Sequence, residues 1–312
     1  MTACGPRLPP SSSLENVHGR SAHTLARAAS GSGSRLLRLV PGAYASRADV
    51  ERLSAADRHL LLVVAGRLTG LLDGGARLAR ESAAVVHGLP LIGPLPDRIQ
   101  RVQVGRDGGR LTASCRTLRA PDGWQTVDND GLRVASVAQT LIDLGRRRSL
   151  ASNLASMDHA LRHALVRLEE LHTLASGHPG ARGNLALALA LRNADPRAES
   201  LGESLSRAVM IEHHLPEPEL QTEVDDRRGQ LVGRVDFMWP QHGVVGEFDG
   251  NVKYTRQTTG RPVEEIVLAE RHREVAIANA TGMRVVRWTW RDAFGAKGML
   301  NALAEAGIRP LY

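Results

Sequence analysis

The sequence predicts an α/β chain of the α+β type, whose C-terminal part is a mixed sheet flanked by helices. Across residues 198–306 the apolar pattern predicts a helix, three short strands, a second helix, a fourth strand and a closing helix, in the order α-β-β-β-α-β-α. Residues 35–194 instead mix short alternating segments with amphipathic helices, which indicates a smaller α+β region. Asp195-Pro196 interrupts the pattern between them, so we place the second domain at residues 195–312.

The N-terminal segment differs from the rest of the chain in composition. Residues 1–34 are rich in Ser, Gly, Pro and Arg. Such a composition cannot bury enough apolar surface to offset the entropy of folding, which predicts a disordered leader. A mis-assigned start codon would give the same pattern.

Charge and cysteine content limit the class of protein. The formal net charge of +7 favours a polyanion such as nucleic acid as partner. Only Lys253 and Lys297 among the 40 basic residues are lysines, so an arginine-rich coding bias explains the same excess. Cys4 and Cys115 are too few for a zinc site or a disulfide framework and fit a reducing cytosol. No apolar run approaches a membrane span, so we expect a soluble, cytoplasmic protein without a membrane partner.

The first region is predicted to alternate between helices and strands. Residues 35–40 are interpreted as a helix end or a short strand, followed by a turn at Pro41–Tyr44. The apolar spacing predicts helices at 57–68, 80–87, 136–146, 150–164 and 183–193, and strands at 98–104, 111–118 and 125–134.

The second region carries the more informative order of elements. The pattern predicts a helix at 198–214, strands at 220–224, 231–238 and 244–249, a helix at 263–280, a strand at 283–290 and a closing helix at 292–306. Three strands in succession favour antiparallel neighbours, and the later helix brings a fourth strand back to the same sheet.

Three acidic residues occupy two consecutive strands of this region. Glu247 and Asp249 are separated by one residue and therefore point to the same face of the sheet, and a hairpin would place Asp236 beside them. Clustered carboxylates repel each other unless a cation lies between them, and oxygen ligands suit Mg²⁺ or Mn²⁺. The pattern therefore predicts a metal site of Asp236, Glu247 and Asp249; the alternative is acids that face solvent at strand ends.

Four further residues are candidates for the same site. Lys253 follows the acids and would orient a water or pair with phosphate, although a solvated loop lysine explains it equally. Glu203, on the preceding helix, would complete the metal shell or face solvent. Arg273 and Arg287 are candidate DNA-phosphate ligands, or simply charges on a solvated surface.

Five segments of the second region share their residues and their order with a known family. They are Glu203–Arg207, Leu215–Gln221, Gly233–Phe237, Gly246–Gly250 and Gly282–Trp288. Together they resemble the domain-of-unknown-function relatives of very-short-patch repair endonucleases, in the PD-(D/E)XK superfamily. The resemblance implies a restriction-endonuclease-like fold. The superfamily pattern has Lys two residues after the second acid, where this chain has Asp249, and Lys253 is the candidate to replace it.

The first region has a resemblance of its own. Arg80–Pro90 and Gln139–Leu144 are similar to AbiEi-type antitoxins of bacterial type IV toxin–antitoxin systems, although Gln139 stands where an Arg is usual. Those proteins usually begin with a winged helix-turn-helix that reads DNA. The matching wing is Arg38–Tyr44, and the helices expected before it fall in the leader, which implies a truncated winged-helix remnant.

Two functions follow from these resemblances and stay open. The first is a DNA-binding protein with a Mg²⁺-dependent endonuclease domain that hydrolyses phosphodiester bonds. The second is a non-catalytic, antitoxin-like transcriptional regulator that keeps the nuclease scaffold. The implied partners are DNA and a cognate toxin or its operator, and no small-molecule cofactor is implied.

Overall fold

The computed structural model describes residues 14–16, 35–103, 109–121, 123–226, 228–250, 273 and 275–312. Two compact units divide the described chain. The first takes in residues up to 156 together with His163–Asn193, and the second takes in Met157–Arg162 and Ala194–Tyr312. None of the helices in the described ranges is long and apolar enough to cross a membrane.

A three-stranded sheet begins the first unit. Its strands are β1 (Leu14–Asn16), β2 (Leu36–Val40) and β3 (Ala43–Ser46), in the order β1-β3-β2. Strand β1 pairs antiparallel with β3, so the expected absence of structure in the leader does not hold for its three residues. The remaining leader residues lie outside the described ranges. Helices α1 (Arg47–Arg52) and α2 (Ala55–Leu68) follow.

A six-stranded sheet forms the centre of the first unit. Its strands are β4 (Ala76–Leu78), β5 (Ile99–Gln103), β6 (Arg110–Leu111), β7 (Cys115–Leu118), β8 (Thr126–Asn129) and β9 (Leu132–Ala135), in the order β6-β7-β5-β4-β9-β8. The strands predicted at 111–118 and 125–134 are each two short strands of a hairpin. In the second hairpin Asp130 and Gly131 both have positive φ, of 51° and 77°, which suits the tight turn of a two-residue connection.

Five helices complete the first unit. One of them has a weak sequence pattern. They are α3 (Arg80–Val86), α4 (Val137–Gly145), α5 (Leu150–Arg162), α6 (Leu168–Ser176) and α7 (Asn184–Asn193). Helix α6 was not predicted, because Leu171 is the residue that it buries and one buried position sets no period. The end of α5 belongs to the second unit.

The second unit is a four-stranded mixed sheet with helices. Its elements are α8 (Leu201–Glu212), β10 (Glu219–Asp225), β11 (Leu231–Trp239), β12 (Val244–Asp249), a helical segment α9 at 275–281, β13 (Arg284–Thr289), α10 (Trp290–Phe294) and α11 (Lys297–Glu305). The sheet order is β10-β11-β12-β13, with antiparallel pairs except for the parallel pair β12 and β13. The predicted closing helix at 292–306 is two helices, because Ala296 has a φ of 57° that no helix continues.

Aromatic packing fixes the strands of the second unit against α8. The ring of Phe237 lies between Trp239 and Trp288, with centroid separations of 6.3 Å and 5.4 Å. The Trp288 indole N–H donates to the Ser206 hydroxyl of α8 at 2.7 Å. A Cβ at Gly246 would lie 2.5 Å from the Trp288 ring, so only glycine leaves room for this packing.

Candidate acidic site

Near Asp236 and Glu247, a side-chain contact replaces the backbone pairing of β11 with β12. The recorded ladder runs from Trp239 opposite Val244 to Phe237 opposite Gly246. Beyond it, the backbone N–H of Phe248 donates to Asp236 Oδ2 at 2.9 Å. The Asp236 carboxylate therefore takes the place of a backbone carbonyl as acceptor. This contact holds the side chain of Asp236 beside β12.

Gln221 joins Asp236 to the carboxylate of α8. Its Nε2 donates to Glu203 Oε2 at 2.8 Å and to Asp236 Oδ1 at 3.3 Å. Gln221 has a φ of 53°, a conformation that costs a non-glycine residue energy and interrupts regular pairing in β10. The strained backbone coincides with the bridge between the two acids.

The first turn of α8 positions Glu203. The Ser200 hydroxyl accepts the Glu203 N–H at 3.1 Å, and Glu203 Oε2 accepts the Glu199 N–H at 2.8 Å. The first contact satisfies an amide group of the first helical turn, and the second ties Glu203 to the residue before the N-cap. Glu203 is only 6% exposed, so the solvent-facing alternative for this residue is excluded.

Glu247 is buried and bound by both candidate phosphate ligands. It is 7% exposed, and its Oε2 accepts from Arg287 at 2.7 Å. The two residues are in register across β12 and β13. Arg273 donates to Glu247 Oε1 at 3.3 Å and to the backbone carbonyl of Arg234 at 2.6 Å. Both guanidinium groups thus contact the acidic cluster.

The carboxylates raise the proton affinity of Asp236. Burial is the largest cause, the charges of Glu203 and Glu247 add to it, and the pKa of Asp236 rises to about 6 despite hydrogen bonds from Phe248 and Gln221. The negative charges of Glu203 and Glu247 therefore both act on Asp236. Such crowding of negative charge is what a bound cation relieves.

Asp249 and Lys253 are the two remaining candidates for the site. Asp249 ends β12, is partly exposed and lies on the same side of the strand as Glu247 by alternation. Lys253 lies outside the described residues. Within the described ranges, no three His, Cys, Asp or Glu residues are already arranged to hold a metal ion. Glu203, which was predicted to complete the metal shell, is joined to Asp236 through Gln221.

The chemistry of the donors suits a hard divalent cation. Mg²⁺ is usually bound through one or two carboxylates, with water and substrate phosphate completing its octahedral shell. Asp236, with Glu203 or Glu247, supplies that number of oxygen donors from elements held by buried contacts. The residues present therefore fit Mg²⁺ or Mn²⁺ without a preformed set of three protein ligands.

A buried ion pair behind α8 supports the site. Asp158 is 1% exposed and accepts from Arg207 at 2.9 Å and Ser204 at 2.8 Å. The backbone N–H of Asp195 also donates to it at 2.8 Å, and burial raises the pKa of Asp158 to about 6. These contacts fix the rotation of α8 and so the direction of Glu203. Asp158 was missed from the sequence, although it directly follows Met157 on the apolar face of α5.

Comparison with known proteins identifies relatives but no family. No family model matches the chain, and no solved structure matches it. Two uncharacterized proteins of Mycobacterium tuberculosis, MT2308 of strain CDC 1551 / Oshkosh and Rv2248 of strain ATCC 25618 / H37Rv, are 36% identical to it over 179 residues. The match covers 57% of this chain and 54% of either relative, so the chain spans about half the length of the curated relatives it matches.

Proposed function

We propose that the second unit is a Mg²⁺- or Mn²⁺-dependent endonuclease domain acting on DNA. The observation that carries the proposal is the bridge that Gln221 makes between Glu203 and Asp236, together with the charge of Glu247, which helps to raise the pKa of Asp236 to about 6. Clustered carboxylates cost a fold stability unless opposite charge lies among them, and in the described contacts Arg273 and Arg287 pair with Glu247 alone of the three, so the cluster argues for a functional cation site. The arginines beside the cluster supply the charge that a phosphodiester requires.

Each residue has a definite role in this proposal. Asp236 and Glu247 hold the ion. Glu203, whose carboxylate is positioned by its contact with Gln221, adds a third oxygen donor. When bound, the ion neutralises phosphate charge and lowers the pKa of a water nucleophile. Asp249 adds a donor at the end of β12, and Lys253 orients the attacking water.

In this scheme Arg273 and Arg287 release Glu247 and bind a DNA phosphate. In the free protein both donate to Glu247. Binding of a cation to Glu247 frees these guanidinium groups for the non-bridging oxygens of the DNA phosphate, with which arginine forms strong, bidentate hydrogen bonds. Arg273, with an exposed side-chain fraction of 47%, is the more accessible of the two.

The decisive experiment is cleavage of supercoiled plasmid with Mg²⁺ or Mn²⁺. We expect the wild-type protein and Glu219→Ala, which alters an exposed acid at the start of β10, to nick the plasmid. Asp236→Ala should not nick it. Equal nicking by Asp236→Ala and Glu219→Ala would refute the assigned site.

A non-catalytic regulator is the second candidate. It is favoured by the ion pairs that Glu247 makes with two arginines and by Asp249, which stands where the resembling superfamily has Lys. If wild-type and Asp236→Ala both bind duplex DNA and neither cuts it, the regulator is correct. Failure of both to bind DNA at low salt would exclude both functions.

A further inference from the structure

A basic cavity lies in the first unit. Its volume is about 500 Å³, and its walls include Trp124, Leu118 and Val102. Five arginines line it: Arg80, Arg119, Arg146, Arg147 and Arg182. Asp143 is the one acid among these described lining residues. A cavity of this size holds a small organic ligand, and its charge selects an anion.

Arg146, which lines this cavity, carries a buried donor that is unpaired among the described residues. Its Nε donates to Asn184 Oδ1 at 2.9 Å, which holds the guanidinium plane in place. Its Nη2 is buried and has no hydrogen-bond partner within the part of the chain that the structure describes. Buried polar groups are nearly always paired, so an unpaired nitrogen on an arginine of the cavity wall leaves a donor that a ligand can recruit when the side chain turns toward it.

Arg80 lines the same cavity with a strained backbone. Its φ of 50° lies in the left-handed region, which a non-glycine residue rarely adopts and which is found most often at functional sites. Burial, and then the charge of Arg147, lowers the pKa of Arg80. Burial and Arg147 also lower the pKa of Arg146. An anion between these arginines would relieve both effects.

Asp143 is already engaged by other donors. Its Oδ2 accepts from the Trp124 indole N–H at 3.0 Å, and its Oδ1 accepts from Gln139 Nε2 at 3.0 Å. Each carboxylate oxygen therefore has a neutral donor. The charge of Asp143 also acts on Arg80 and Arg146, but five arginines line the cavity with this one acid, so positive charge remains for a ligand that enters it.

We propose that this cavity binds the terminal phosphate of a nucleotide, with Arg80 and Arg146 as its principal ligands. The guanidinium groups match the oxygens of a phosphate monoester bidentately. The volume exceeds what a phosphate alone needs, and the walls formed by Leu118, Val102 and Trp124 suit an adjoining planar base. A free mononucleotide and the 5′-phosphorylated end of a DNA strand carry the same chemistry. The site is separate from the acidic cluster and does not depend on the proposed nuclease function.

Calorimetric titration of the full-length protein tests the proposal. The probes are deoxyadenosine, its 5′-monophosphate, and a short DNA oligonucleotide with and without a 5′-phosphate. We expect saturable binding of the phosphorylated probes only. Preference for the monophosphate or for the phosphorylated oligonucleotide identifies the source of the ligand, and either supports the site. Equal binding of phosphorylated and unphosphorylated probes, or no saturable binding, overturns it.

Matched variants separate the cavity from general positive charge. Arg80→Gln should weaken binding about tenfold or more, the usual effect of losing a charge-assisted hydrogen bond. Arg110→Gln removes an exposed arginine of β6 outside the cavity and should bind as the wild type does. Equal affinities of these two variants overturn the proposal.

Asp143→Asn provides an independent test if Arg80→Gln does not fold. It removes the acid of the cavity while keeping an oxygen acceptor for Trp124. We expect tighter phosphate binding, because a charge that repels the ligand has gone. A purely structural role for Asp143 predicts weaker or unchanged binding, and either result overturns the proposal.

Discussion

Replacing Asp236 by Asn should stabilise the protein at neutral pH. The carboxyl group of Asp236 has a pKa of about 6, above the ordinary 3.8, because of burial and the charges of Glu203 and Glu247. In the unfolded chain this group loses its proton at lower pH than in the folded chain. Folding stability therefore falls as the pH rises from about 4 to about 6, and the cost is complete above that window.

The magnitude follows from the size of the shift. About two pKa units at about 1.4 kcal/mol each give an upper limit of about 3 kcal/mol at pH 7. Asn keeps one oxygen acceptor, so the contact with the Phe248 N–H or with Gln221 is lost at a cost of about 1 kcal/mol. We expect a net gain of about 1–2 kcal/mol in the free energy of unfolding.

Urea unfolding at a series of pH values measures this effect. Tryptophan fluorescence reports mainly on the second unit, which contains Trp239, Trp288 and Trp290, whereas Trp124 belongs to the first. The difference between Asp236→Asn and wild type should grow between pH 4 and 6 and then stay constant. Glu219→Gln, at an exposed position, should show no such growth. A variant less stable than wild type at pH 7, or a difference independent of pH, would refute the reasoning.

Three further outcomes follow from the described contacts. Asp158→Ala should lower the free energy of unfolding by about 3–5 kcal/mol in urea titrations, because it removes a buried carboxylate to which Arg207 and Ser204 both donate; a loss below 1 kcal/mol would contradict this. Gly246→Ala should cost about 1–3 kcal/mol by the same measurement, since the added methyl meets the Trp288 ring, and a neutral effect would show that the ring moves freely. Arg287→Ala should reduce the salt dependence of duplex DNA binding by about one unit of slope, and an unchanged slope would remove this arginine from the phosphate contacts.

Much of the second unit was predictable because its strands are bounded by strong turn signals. Strands β10, β11, β12 and β13 follow the alternation in the sequence within one or two residues. The sequence pattern predicts one strand over 125–134, whereas Asp130 and Gly131 form a turn between β8 and β9. Local turn chemistry decided the outcome at that position.

The acidic site was only partly predictable. Spacing alone indicates that Glu247 and Asp249 share a side of β12, and a hairpin brings Asp236 near them. That Glu203 is the acid joined to Asp236 depends on Gln221, whose backbone leaves the regular strand conformation. The direction of Glu203 depends in turn on Asp158, 45 residues earlier in the chain. Such contacts between distant segments leave no periodic signal in a sequence.

Fraying at the start of α8 controls how often the acidic site is complete. Glu203 serves the helix as part of its cap and the site as a carboxylate, so both functions end together whenever the first turn frays. Fraying of helix ends is a local opening, far more frequent than global unfolding, and it occurs without loss of the core. The opening equilibrium of one helical turn therefore sets the fraction of molecules with a complete set of acids. The amide exchange protection of that turn measures this fraction. A ligand that binds all three carboxylates would slow hydrogen exchange at Glu203 and leave the far end of α8 unaffected.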